Sequence, residues 1–230
     1  MKSIFTNLLI INLCLMIIFI IYIGYIKTEY SLETITNLLN SVDLTNNVHI
    51  KKKTKNLDGV TDYNIYIKNN IIKISQKTDY LDSKNEDIDF DEYISKSSII
   101  TANHNSKLLT ENKFEFNDLK EYLNSWPFNG NSYFLHLTNK NNFDFKFLGK
   151  NNINEKNCLK FSITDSDYQY IFYMDINSNL IIKIENYINN NNSLFSTTDY
   201  NYDLNYEDEI ENFNPDNFID YQKIPIENNN

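Results

Sequence analysis

Apolar residues fall on alternate positions through much of the chain, and this period of two constrains the fold more than any other feature. DYNIYIK places Tyr63, Ile65 and Ile67 on one face, and after an Asn69-Asn70 turn NIIKISQ continues with Ile72 and Ile74. NFDFKFL sets Phe143, Phe145 and Phe147 on one side and Asp144 and Lys146 on the other. NCLKFSITD repeats the pattern with Leu159, Phe161 and Ile163, and YQYIFYMDI and NLIIKIENYI form a hairpin about a turn at Asp175 to Asn179. SLFSTTDYNYDLNYE adds Phe195, Tyr200, Tyr202 and Leu204. These segments read as half-buried antiparallel strands. Both faces of residues 168–176 are apolar, so either Phe172 with Met174 or Ile171 with Tyr173 turns toward the core.

Helical spacing occurs in two places. Leu32, Ile35, Leu38 and Leu39 recur behind an N-terminal cap region at Ser31 and Thr34, and Phe116, Leu119, Tyr122, Leu123 and Trp126 form a stripe that stops before Pro127. The charged stretch from Asp79 to Glu92 reads as an exposed loop or an edge strand protected by charge. A long sheet with two short helices can curl into a half-barrel whose apolar side is either a cavity or a packed core.

From Leu8 to Ile26 the run LLIINLCLMIIFIIYIGYI carries no charge, and its helical length is close to the roughly 30 Å hydrocarbon core of a bilayer. It is longer than a secretory signal's apolar region and is not followed by an Ala-x-Ala-like site, so an uncleaved anchor is expected. The expected organisation is a membrane anchor over residues 1–27 and an extracytoplasmic domain over 28–230, with the N-terminus inside. The two cysteines, Cys14 and Cys158, then lie in different compartments, and Cys158 is expected to be a buried small hydrophobe.

All 21 basic residues are lysines, set against 31 acids, for a net charge of −10. This balance gives no attraction to nucleic-acid phosphates, so nucleic acid is set aside as a partner. Asp87, Asp89 and Asp91 have calcium-loop spacing, but Glu92 stands at the glycine position and Ser98 at the bidentate glutamate position. His49, His104 and His136 are far apart and lack HExxH or CxxC companions. There is no GxSxG or Cys-His motif, and acid pairs such as Glu207 with Asp208 read as solvated surface. A non-enzymatic chain without cofactor or metal is expected.

The order of elements resembles the LolA-like lipoprotein-carrier superfamily. It includes a strand near Val48, the YNIYIKNNIIKI hairpin, NCLKFSI, YQYIFYMDINSNLIIKIENY and the closing ENFNPDNF. The most specific piece is Tyr173-Met174-Asp175 through Ile182-Lys183, and the likeness spans about residues 30–222. It implies an α+β fold, a curved antiparallel β half-barrel with a few short covering helices, here preceded by one N-terminal transmembrane helix. It also implies a hydrophobic pocket for lipid or lipoprotein acyl chains. Joined to the shared parity, it assigns the lining to Ile65, Ile67, Ile72, Ile74, Phe143, Phe145, Phe147, Phe161, Phe172, Met174, Ile182 and Ile184. The expected role is membrane-tethered lipid handling or envelope sensing. The alternative is a non-enzymatic envelope protein-interaction or regulatory module with a filled core.

Overall fold

The computed structural model describes residues 16, 30–45, 47–69, 71–82, 86–95, 97–113, 128–140, 142–208, 210 and 213–225. The expected anchor at 8–26, apart from Met16, and the expected helix at 116–126 lie outside the described residues. Among the described residues no helix is long and apolar enough to cross a membrane.

Two meanders build the sheet. The first comprises β1 (Val48–Asn56), β2 (Gly59–Lys68), β3 (Ile71–Tyr80), β4 (Ile88–Ile94), β5 (Ser98–Asn103) and β6 (Leu108–Lys113). The second comprises β7 (Asp144–Ile153), β8 (Lys156–Thr164), β9 (Tyr168–Asp175), β10 (Leu180–Ile188) and β11 (Ser193–Asp203). Antiparallel pairing of β1 with β11 joins them. A final β12 (Gln222–Pro225) lies parallel to β6, completing a curved, unclosed sheet in the order β12-β6-β5-β4-β3-β2-β1-β11-β10-β9-β8-β7. The frequent asparagines supply left-handed turn positions: Asn69 and Asn179 adopt φ of 52° and 56°, and Asn154 with Glu155 turns β7 into β8.

Residues directly opposite in neighbouring strands share a face, so one row of isoleucines spans four strands through Ile67, Ile72, Ile94 and Ile99. Helices α1 (Leu32–Asn40) and α2 (Gly130–Thr138) cover this face. Ser31 caps α1, its hydroxyl accepting from the Thr34 N–H, and α2 opens with a capping box between Asn129 and Ser132. Ile35 and Leu39 of α1 meet Phe134 and Leu137 of α2 in one cluster with the sheet isoleucines.

The charged stretch at 79–92 departs from expectation. Asp79 and Tyr80 finish β3, while Ile88 to Glu92 belong to β4, an interior strand held between β3 and β5. Its acids are accommodated by cross-strand partners: Asp91 faces Lys73 at 4.0 Å and His104 at 3.5 Å, and Glu92 accepts from the Thr101 hydroxyl.

Behind the sheet, on the face away from the helices, the chain beyond β11 runs back toward β6. Tyr206 packs on His49 and Tyr66, and Lys68 donates to the carbonyls of Glu207 and Asp208. Phe213 and Phe218 then cover Tyr93, with Phe218 closing the short 3-10 turn Pro215–Phe218.

Candidate functional site

Burial divides the twelve expected pocket residues into three groups. Ile65, Ile67, Ile72, Ile74, Phe161, Phe172, Met174 and Ile184 are between 0% and 5% exposed and belong to the main core. Water scarcely reaches them, so their faces meet packed protein. The helix supplies the filling: Phe134 stands edge-on to both Phe161 and Phe172, each at 5.3 Å between ring centroids, and those two stack on each other at 5.5 Å. Phe172 and Met174 therefore take the core side of β9, and Tyr173 and Ile171 the opposite side.

Ile182 does not share the face assigned to it. The pairing of β10 with β9 shifts register between Ile181 and Lys183, so one extra residue enters β10 at this point. Ile181 and Ile184 face the helices as a result, while Ile182 joins Cys158 and Tyr173 in a small cluster on the far side. Burial raises the pKa of the Cys158 thiol, with the Asp175 carboxylate adding to the shift. This environment disfavours the thiolate that nucleophilic chemistry would need.

The remaining three are half-buried: Phe143 immediately precedes β7, the last strand of the sheet, and Phe145 and Phe147 lie within it. Among the described residues β7 has one strand neighbour, β8. Phe145 and Phe147 border an open depression of about 420 Å³ with Tyr30, Ser31, Lys146 and Leu148. Tyr30 tilts against Phe147 at 5.2 Å, and Leu148 is 44% exposed. Phe143 borders a second depression of about 320 Å³ with Leu137, Lys140 and Ile163. The rim has aromatic floors flanked by charge, with Asp144 and Lys146 paired at 2.8 Å on the other face of β7. A β-bulge between Phe147 and Gly149, where Gly149 has a φ of 104°, ends the regular part of the strand.

A second feature was hidden in the lysine run of β1. Lys52 lies on the helix-facing side two residues beyond Ile50, opposite Tyr63 and Tyr200, with its ammonium 4.8 Å from the Tyr63 ring centre. Among the described residues no carboxylate pairs with it. Desolvation lowers its pKa to about 8. The signal was available in the parity of β1, since Ile50 inward requires Lys52 inward. On the far face, Glu185 gathers Lys183 at 2.6 Å, the Tyr173 hydroxyl at 2.9 Å and the Tyr187 hydroxyl at 3.2 Å. Burial alone would raise this carboxyl, but the three donors together hold it below its usual value.

The candidate metal ligands do not come together: among the described residues no group of three His, Cys, Asp or Glu side chains is placed to hold an ion. His49 instead stacks on Tyr66 at 4.2 Å, and His104 bonds the Tyr221 hydroxyl at 2.7 Å.

No protein-family model matches the sequence, and no curated protein matches it. Among solved structures, the chain is similar to an uncharacterized conserved protein from Thermus thermophilus, with 7% identity and a TM-score of 0.47. That alignment covers 84% of this chain and 98% of the other. It is also similar to MucB in the MucA/MucB complex of Pseudomonas aeruginosa, at 8% identity and TM-score 0.43, over 80% of this chain and 60% of that one. A LolA superfamily protein from Nitrosomonas europaea aligns at 10% identity and TM-score 0.27, over 75% of this chain and 92% of that chain.

Proposed function

We propose that this chain is a membrane-tethered, extracytoplasmic, non-enzymatic binding module whose recognition surface is the aromatic rim along β7. The observation that carries this reading is the contrast in burial. Eight of the expected pocket residues are sealed at 5% exposure or less, whereas Phe143, Phe145 and Phe147 remain accessible beside open depressions. A packed interior leaves no standing room for an acyl chain without moving Phe134 from between the helix and the sheet. An exposed sheet edge bearing aromatic side chains is instead suited to a protein segment that adds to the sheet. The tether is the uncharged run at 8–26, whose length suits a single pass through the cell membrane, with the N-terminus placed inside by the bias of the flanking lysines.

The test is site-specific photo-crosslinking in cells. A photoreactive residue at Leu148 should give a protein adduct, and one at the distant, exposed Leu57 should not. Equal labelling at both positions would overturn the reading. Protease added to spheroplasts should digest the exported domain, and its survival would overturn the topology.

Acyl-chain binding is retained as a second reading because of the depression of about 420 Å³ between Tyr30, Phe145 and Phe147, in a chain that resembles lipid carriers. Burial of each methylene there is worth about 0.8 kcal/mol. Saturable binding of a fluorescent fatty acid, abolished by Phe145→Lys in a folded variant, would favour this reading over the first.

A further inference from the structure

We propose that the β7 rim is occupied by a second copy of this chain, with two β7 strands paired antiparallel about Phe145. This rests on the interaction reading above and names the partner. The argument comes from the self-complementarity of the strand. In an antiparallel pair centred on Phe145, residue 144 of one copy lies opposite 146 of the other, and 143 opposite 147. Asp144 then faces Lys146 of the second copy, and Lys146 faces its Asp144, on one side of the joined sheets. On the other side Phe145 meets Phe145, and each Phe143 meets a Phe147.

The neighbouring registers fail. Centring on Asp144 or on Lys146 sets like charges directly opposite each other, which is destabilising. A shift of one residue in a single copy places Asp144 opposite Phe145 and turns the aromatic face of that copy to the wrong side. The bulge at Phe147 and Gly149 breaks the alternation that registers further along the strand would need.

The geometry of the rim suits this occupant. Asp144 and Lys146 pair with each other at 2.8 Å within one chain, but their side chains are 60% and 65% exposed, so the same two charges can be shared with a partner strand. The open depression bordered by Tyr30, Phe145 and Phe147 lies beside the strand, where aromatic side chains of the second copy would be received. Among the described residues no strand occupies this edge.

The test uses the full-length chain in membranes, carrying Cys14→Ser and Phe145→Cys. The two introduced thiols sit opposite each other about the two-fold axis, at a separation a disulfide can bridge. Oxidation should convert most of the protein to a covalent dimer, and a Leu57→Cys control should stay monomeric. In the Phe145→Cys background, Asp144→Lys or Lys146→Asp alone should reduce the dimer at least five-fold. The charge-swapped pair Asp144→Lys with Lys146→Asp should restore it. These side chains are exposed, so the substitutions spare the core. Absence of the dimer, or single reversals without effect, would overturn self-pairing. A Leu148 photo-adduct with a different protein alongside a monomeric Phe145→Cys chain would leave the interaction reading standing and refute this one.

Discussion

The side chain of Asn131 takes the place of a neighbouring strand for Ile181. Its Oδ1 accepts the Ile181 N–H at 2.9 Å, and its Nδ2 donates to the carbonyls of Asn179 at 3.1 Å and Leu39 at 3.3 Å. The Ile181 carbonyl accepts from the Tyr202 hydroxyl at 3.0 Å, and the Tyr202 hydroxyl oxygen in turn accepts the Gly130 N–H at 3.1 Å. The first turn of α2 thus satisfies the backbone where β10 bulges away from regular pairing and ties α1 to the same point.

Asn131→Ala should therefore destabilise the fold by roughly 2–4 kcal/mol, because it leaves buried backbone groups without partners. The measurement is the shift in urea midpoint at unchanged slope. A change within 0.5 kcal/mol, the range of ordinary surface substitutions, would contradict the role.

Gly130 is required by close approach. A Cβ there would stand 2.6 Å from Cγ2 and 2.7 Å from Cβ of Ile181, and 2.8 Å from its carbonyl oxygen. Gly130→Ala should cost about 1–3 kcal/mol through displacement of α2 from the sheet. Thermal unfolding reads this as a lower Tm, and combining it with Ile181→Ala should recover part of the loss.

Lys52 should make stability depend on alkaline pH. Its pKa is about 8 in the folded chain against 10.5 for the free group, so between these values the unfolded state binds more protons. Stability attributable to this residue rises with pH across that window, and below it the full cost of holding the ammonium is present. Lys52→Met should be more stable than the parent at pH 7 by about 1 kcal/mol. The advantage should shrink as pH rises from 8 to 10.5, as followed by denaturant titration.

Glu185 has the opposite dependence. Its depressed pKa gives stabilisation that is complete above the unfolded value of 4.5 and is lost as pH falls through the folded one. Glu185→Gln should cost about 1–2 kcal/mol at neutral pH through the weakened bonds from Lys183, Tyr173 and Tyr187. The gap between parent and variant should narrow in acid titrations, and a pH-independent gap would contradict the assignment.

The sequence by itself determined the antiparallel hairpins β2–β3 and β9–β10, the helix cap region at Ser31, and the core side of β2, β3, β7 and β8. Each is written in neighbours one to four residues apart, so periodicity and local side-chain bonding suffice to read it. The short β5 and β6 offered too few alternations, and α2 escaped notice because Asn131 interrupts its apolar face with a polar side chain. The charged stretch became the interior strand β4 because Lys73 and His104 meet Asp91 from elsewhere in the chain. Tertiary structure alone decided that Ile182 turns away from the core, that Phe134 fills the space over Phe161 and Phe172, and that β7 stands at the edge. Those outcomes depend on residues tens of positions apart, such as Asn131 and Ile181, whose meeting is fixed by how the whole sheet packs rather than by the pattern within any one strand.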